Sequence, residues 1–269
     1  MDKLGLIAGN RTYPLLFCRK AKQKDPSLTI IAVAVKGETS PKLTGLVDKI
    51  YWVDIGKLAA LIDVFVKEGI TTAVMAGQIS PVRIFKDVSG WDPLMQEVSR
   101  RTPDFRPHSI FTEIIKEIEG KGVRFISSLT YLEDQLALAG VNNAAEAPQA
   151  LLQEVETAVS LVRKIVDLDI GQTVVCKDKA VVAVEALEGT DNTLRRAYRI
   201  CGPGFIAVKL AKKGQDLRFD LPVVGLKTIQ LLKRFKAKAL VLEKEKTLIL
   251  DREKVFSLAD KANIPIIGV

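Results

Sequence analysis

Histidine occurs once in the 269 residues, at His108, and cysteine three times, at Cys18, Cys176 and Cys201. The three thiols stand far apart with no paired spacing, so the chain encodes neither a disulfide framework nor a Cys/His zinc site. They fit small buried hydrophobes in a reducing compartment. Aromatic residues are scarce, at 6% of the total, which leaves few stacking faces for single-stranded nucleic acid. No long apolar run is present. Stretches such as Leu28 to Val35 are strand length, well below the ~20 residues of a spanning helix. A secretory leader is not read either, because the apolar start Leu4 to Ala8 is broken at Asn10 and Arg11. The expectation is a soluble protein that meets lipid, where it does, from the cytoplasmic side. Repeats and low-complexity tracts are missing as well.

What is abundant is hydrophobic and basic. Hydrophobic residues make up 48% of the chain, enough for packed cores, and the length suits one large or two ordinary domains. The net charge of +8 favours anionic partners: phosphates, nucleic acid or an acidic membrane face.

The first half alternates short β-branched runs with amphipathic stretches. Strands are expected at Leu4–Ala8, Thr29–Val35, Ile50–Val53, Thr72–Met75 and Val123–Ile126. Pro14 suits a first helical turn. Leu58, Leu61, Ile62 and Phe65 recur at helical spacing before Gly69, which ends that helix. This order argues for a Rossmann-like parallel sheet with covering helices over residues 1–138. The small, polar stretch Gly140 to Pro148 reads as a linker, bounded at 139–149, before a second α/β domain with a mixed sheet over 150–269. There a long helix carries Val155, Ala158, Val162 and Val166 on one stripe. Thr173–Cys176 and Ala180–Ala186 read as a hairpin, and Ala239–Leu242 with Thr247–Leu250 as another. Asp251 is expected to cap a final helix before a closing strand, Ile264–Val269.

Chemistry-bearing residues fall in a few clusters. Gly5-Leu6-Ile7-Ala8-Gly9-Asn10 is a strand running into a tight turn, where amides could meet a phosphate or simply turn the chain. A second such turn, Met75-Ala76-Gly77-Gln78-Ile79-Ser80-Pro81, is expected at the same sheet edge, where ligands of open parallel sheets sit. In the second half, a strand delivers Glu188 and Gly189, and Thr190 or Asp191 caps a helix that carries Arg195 and Arg196. Carboxylates beside arginines can hold a hard cation and the phosphates it bridges, or they can be an ordinary cap and a solvated face. Asp220 ends a charged loop that starts near Lys209 and includes Gln215 and Arg218, and an apolar run follows it. Asp169 and Gln172 end the long helix and could face the same site.

These segments, Leu168-Asp169-Ile170-Gly171-Gln172, Val184-Glu185-Ala186-Leu187-Glu188-Gly189-Thr190-Asp191 with Leu194-Arg195-Arg196, and Arg218-Phe219-Asp220-Leu221-Pro222-Val223-Val224-Gly225, resemble the LpxI family in order and spacing. Leu4 to Gly9 and Ala76-Gly77 followed by Ser80-Pro81 look like its other landmarks, so the resemblance covers nearly the whole chain. It implies two domains joined by a linker and a magnesium-dependent hydrolysis in lipid A biosynthesis. UDP-2,3-diacylglucosamine would be split to UMP and 2,3-diacylglucosamine 1-phosphate, with Asp220 as the matching essential aspartate. On this reading Asp220, Asp191, Arg195 and Arg196 are the catalytic candidates. Asp220 with Asp191 or Glu188 would hold Mg2+. Gly9, Asn10, Gly77, Gln172, Gly189, Thr190, Lys209, Gln215 and Arg218 would contact substrate. His108, read as lying in an exposed loop, is given no role as a base. The expected partners are the lipid-bearing sugar nucleotide and the inner face of the cytoplasmic membrane, to which the protein would be peripheral. Nucleic acid is not expected, and a homo-oligomer is compatible with the sequence. A nicotinamide-dependent oxidoreductase is the alternative, weakened by the unspaced glycines and by a second strand that ends Val35-Lys36-Gly37-Glu38. A non-catalytic nucleotide-binding module is the other.

Overall fold

The computed structural model describes residues 2–79, 88–104 and 106–269, so the landmarks Ser80 and Pro81 lie outside the described residues. The chain divides into two compact units. One comprises Met1–Leu132 together with Asp216–Asp220, and the other Glu133–Gln215 with Leu221–Val269.

In the first unit β1 (Lys3–Ala8), β2 (Thr29–Val35), β3 (Lys49–Val53), β4 (Thr72–Ala76) and β5 (Arg124–Phe125) form one all-parallel sheet, order β3-β2-β1-β4-β5. This matches the first five strands of the doubly wound order 3-2-1-4-5-6, in which the crevice opens at the carboxyl ends of the strands where the order reverses, between β1 and β4. β1 and β2 are buried on both faces, which is why they read as continuous apolar runs rather than alternating ones. The covering helices are α1 (Tyr13–Lys24), α2 (Leu58–Glu68), α3 (Pro93–Arg101) and α4 (Pro107–Glu119). Leu58, Leu61, Ile62 and Phe65 of α2 all enter the core, and Gly69 closes that helix in the left-handed region at φ 65°. Ile110, Ile114, Ile115 and Ile118 of α4 join the same cluster. Each such side chain contributes roughly 2 kcal/mol by burial.

The segment Asp216–Asp220 belongs to this unit through side chains and backbone. The amide of Ser128 donates to Leu217 O at 3.1 Å, and Tyr13 Oη donates to Ser128 O at 2.8 Å. Phe219 packs against the core cluster beside Phe111. Asp220 is thereby carried by the amino-terminal unit, although the chain on either side of this five-residue segment belongs to the other.

In the second unit the sheet order is β6-β13-β11-β9-β7-β8. Its strands are β6 (Gly140–Val141), β7 (Thr173–Lys177), β8 (Ala180–Val184), β9 (Ile206–Lys209), β11 (Ala239–Leu242) and β13 (Ile266–Gly268). β9, β11 and β13 run parallel, while β6, β7 and β8 pair antiparallel, so the sheet is mixed. β10 (Val223–Val224) and β12 (Leu248–Ile249) make a separate parallel pair. The helices are α5 (Gln149–Val166), α6 (Thr190–Cys201), α7 (Leu226–Arg234) and α8 (Arg252–Lys261). Val155, Ala158, Val162 and Val166 are the buried stripe of α5. The β7–β8 hairpin turns through Asp178 and Lys179, both at positive φ.

Three local expectations are corrected. The second hairpin does not form: β11 is fully buried with both edges taken by β9 and β13, so β12 pairs with β10 instead. Asp251 precedes α8 in the left-handed region and makes no side-chain cap. The stretch read as a linker is fastened to its own unit. Gly140 and Val141 pair with β13, and Asp260 Oδ1 accepts from the amides of Ala144 and Ala145 and from Asn143 Nδ2. Three helices, α3, α4 and α7, had no counterpart in the sequence reading. Cys18 and Cys176 are buried, which pushes their thiols up to about 12 and about 11, and Cys201 is half-buried. Among the described residues no helix is long and apolar enough to cross a membrane.

Candidate active site

The two glycine turns of the first unit do meet. Gly9 N donates to Ala76 O at 2.8 Å and Asn10 N to Gln78 O at 2.7 Å. A Cβ on Gly9 would lie 2.6 Å from Gln78 O, and one on Gly77 would lie 2.7 Å from Asn10 O. Glycine is needed at both positions because the turns lock onto each other; these two amides are committed to protein carbonyls. Asn10 Nδ2 donates to Glu38 Oε2 at 2.7 Å. Thr39, next to Glu38, is buried and ties the β2 end to β1 by accepting from Val35 N and donating to Ala8 O. Glu38 thus stands at the end of β2 bound to the first turn, a pairing the sequence did not reveal.

On the same unit Arg218 forks onto Asp216, with Nε 3.0 Å from Oδ1 and Nη2 2.8 Å from Oδ2, and Nη1 reaches Glu119 at 3.2 Å. Burial works against the Asp216 charge, yet the guanidinium and the Arg218 amide hold its carboxyl below the usual range. Arg218 therefore fastens the Asp216–Asp220 turn to α4. Asp220, its side chain 25% exposed, faces His108, whose Nδ1 lies 3.8 Å from Oδ2. The His108 ring packs on Phe219 at 5.3 Å. His108 is not in an exposed loop: it sits in the first turn of α4, with Pro107 at the helix start. Pro at that position, followed by Ile110, Ile114, Ile115 and Ile118, was the signal in the sequence.

The second unit gathers most of the other candidates around the start of α6. Gly189 precedes the helix at φ 77° with open space around it, and no side chain caps it, so neither Thr190 nor Asp191 is the cap. Thr190 Oγ1 instead donates to Glu185 Oε1 at 3.0 Å and receives Lys209 Nζ at 3.0 Å. Lys209 Nζ also donates to Thr173 Oγ1 at 3.3 Å. Asp191 is buried and pairs with Lys227 at 2.7 Å. Glu188 pairs with Arg196, whose Nη2 also donates to Val184 O at 2.8 Å. Burial opposes the Glu188 charge, and Arg196 more than offsets it, so its carboxyl is held low. Arg195 donates to Asn192 Oδ1 at 3.0 Å. Gln172 O accepts from Leu210 N, Gln215 Oε1 accepts from Lys212 N, and Lys212 Nζ pairs with Asp169 at 2.7 Å. A Cβ on Gly171 would sit 2.1 Å from Glu185 O, so the loop holding Gln172 is pressed against the end of β8.

Sequence reasoning missed Glu185, Thr173, Lys227 and Glu38. Glu185 lies within a segment that resembles the family but was given no role there; the other three lie in no local motif, and each of the four is identified by the partner that the fold brings to it.

Among the described residues no group of three or more His, Cys, Asp or Glu is set to hold a metal ion. Asp191 and Glu188 each hold a cationic side chain of their own unit, and Asp220 lies on the other unit. The donor set suits magnesium, which commonly takes one or two carboxylates and completes its shell with water and substrate phosphates.

Residues 3–135 match the LpxI N-terminal domain and residues 139–267 the LpxI C-terminal domain. A relative from Caulobacter vibrioides, the UDP-2,3-diacylglucosamine pyrophosphatase LpxI, is 27% identical over 286 residues, covering 100% of this chain and 98% of its own. Among solved structures, the biotin carboxylase domain of Hydrogenobacter thermophilus 2-oxoglutarate carboxylase aligns with 74% of this chain at 11% identity and a TM-score of 0.30. The N5-carboxyaminoimidazole ribonucleotide synthetase of Thermotoga maritima aligns with 71% at 14% identity and a TM-score of 0.27. The chain spans 41% and 43% of those two structures, and likenesses this slight carry no argument. Matched through both of its halves, the chain belongs to the LpxI family.

Proposed function

We propose that the protein hydrolyses the pyrophosphate of UDP-2,3-diacylglucosamine to UMP and 2,3-diacylglucosamine 1-phosphate, with magnesium. The observation that carries this reading is the match of both halves to one family, joined to an end-to-end relative whose name gives that activity.

The chemistry of the candidate groups supports it. A pyrophosphate diester carries two negative charges that repel an attacking water. Magnesium, when bound, supplies positive charge against the pyrophosphate oxygens. Asp220 is the carboxylate we assign to it, held in place by the Arg218–Asp216 fork and by Phe219 packed in the core. The positive end of α6, with Arg195 in its second turn, suits a phosphate whose charge grows as the bridge breaks. Arg196 and Lys227, each bound to a carboxylate, keep that end of the helix in shape. In the first unit an apolar pocket at the carboxyl ends of the strands, lined by Val35, Val53, Leu58, Met95 and Phe111 among others, has the chemistry of an acyl-chain site.

With the purified protein, hydrolysis of UDP-2,3-diacylglucosamine should require added magnesium and stop in excess chelator. Full turnover with chelator present removes magnesium from the account. UDP-glucosamine without acyl chains should be a far poorer substrate, since each methylene withdrawn from water contributes about 0.8 kcal/mol. Peripheral attachment to an anionic membrane face is part of the same proposal, supported by the net charge of +8. Flotation with acidic vesicles should be strong at low salt and weaken as salt rises; indifference to such vesicles at low salt contradicts it.

A further inference from the structure

Glu185, just beyond β8, has no role in the function proposed above, yet its surroundings are incomplete. Its side chain is 12% exposed and that of Lys209 8%. Glu185 Oε1 accepts from Thr190 Oγ1. Glu185 Oε2 is buried and accepts no hydrogen bond. An ammonium has three N–H bonds, and Lys209 directs two at the hydroxyls of Thr173 and Thr190. Between Lys209 Nζ and Glu185 Oε2 the distance is 3.8 Å, too long for a hydrogen bond. A buried acceptor without a donor is costly, so the cluster is chemically open at this point.

The group that closes it must accept from Nζ and donate to Oε2. A phosphate oxygen only accepts, and it brings negative charge against Glu185. An O–H group does both. An oxygen about 2.8 Å from each of the two atoms makes a triangle of ordinary hydrogen-bond geometry on the 3.8 Å base.

We propose that Glu185 Oε2 and Lys209 Nζ together bind one uncharged O–H group beside the start of α6. The inference rests on the proposed hydrolysis, which brings two such groups: a hydroxyl of the sugar nucleotide and the attacking water. In the second case the water oxygen bonds to phosphorus and its proton passes to Glu185 Oε2. The bridging P–O bond then breaks, and its electron pair leaves on the departing phosphate.

The test is Glu185→Gln. This variant keeps an acceptor for Thr190 and replaces Oε2 with a donor, so the O–H group loses its acceptor. Turnover of UDP-2,3-diacylglucosamine and melting are measured on one preparation, with calorimetric titration by UDP-N-acetylglucosamine alongside. A substrate hydroxyl predicts KM raised at least about tenfold with kcat kept. An attacking water predicts kcat lowered at least about tenfold with KM kept. Values of both within about twofold of wild type, at unchanged melting, mean a resident water or a purely structural carboxylate and overturn the inference. If the Gln variant does not fold, Glu185→Asp, which keeps the charge and withdraws the oxygen, is held to the same outcomes. A wild-type protein that leaves the acylated substrate intact overturns the hydrolysis, and the titration then decides the site. Binding of UDP-N-acetylglucosamine weakened in the variant supports it, and equal affinity, or no binding to either protein, sinks it.

Discussion

Asp220→Ala is expected to abolish most turnover, by more than about a hundredfold, the upper range for residues that only support a metal ligand. Melting should move little, because the contacts that hold its segment belong to others. Leu217 O accepts from Ser128, Phe219 packs in the core, and Arg218 bridges Asp216 and Glu119. Asp220 is itself a quarter exposed. Loss of a group that acts in the transition state lowers kcat much more than it weakens substrate binding. An Asp220 that served only to position His108 would give a different pattern: kcat would stay within a few-fold, and His108→Ala would reproduce the change. Measuring kcat, KM and melting for both variants separates the two roles.

Gly268→Ala should be among the most destabilising single changes in the carboxyl-terminal unit. Gly268 lies in β13 between β11 and β6, and an added Cβ would stand 1.7 Å from Leu138 O and 2.8 Å from its carbonyl carbon. That carbonyl cannot step aside easily. It accepts from Asn142 Nδ2 at 2.7 Å, and Leu138 N donates to Asn142 Oδ1 at 2.7 Å. The conflict is steric rather than a matter of backbone freedom. Overpacking of this kind costs about 3 kcal/mol or more where the backbone is held. A fall in melting temperature of roughly 10 °C should follow. Melting within about 2 °C of wild type would mean that residues 138–142 are held less firmly than their hydrogen bonds imply.

The parallel sheet was readable because β1 and β2 are buried on both faces, and such strands appear as unbroken apolar runs. α2 was readable because its four core residues and Gly69 all lie within a single segment. The false hairpin shows the limit of that method. Glu243 to Lys246 has the polarity of a tight turn, but strand partners are set by which edges remain open, and β11 has none to spare. α4 was missed because Pro107, which opens the helix, was read together with Pro103 as part of a loop that included His108.

The site was legible in part. Asp220, Glu188, Asp191 and the two arginines stood out as charged residues in the segments that resemble the family. Glu188 and its partner Arg196 were both among them, but the more distant partners were not. Lys227 lies 36 positions beyond Asp191, and Lys209 lies 36 beyond Thr173, so those pairings exist only after folding. The sequence left the first glycine turn open between phosphate contact and a simple turn; in the fold Gly9 and Gly77 allow the two turns to lock together, with the Gly9 and Asn10 amides donating to the Ala76 and Gln78 carbonyls. The division of the chain was also beyond local reading, since five residues that include Asp220 belong with the other unit.

The most direct measurement is mass analysis of the products formed from UDP-2,3-diacylglucosamine and magnesium by the wild-type protein and by Asp220→Ala side by side. The account predicts equal amounts of UMP and 2,3-diacylglucosamine 1-phosphate from the wild type, and almost none from the variant. UDP released with unphosphorylated diacylglucosamine, or substrate recovered intact from the wild type, would contradict it.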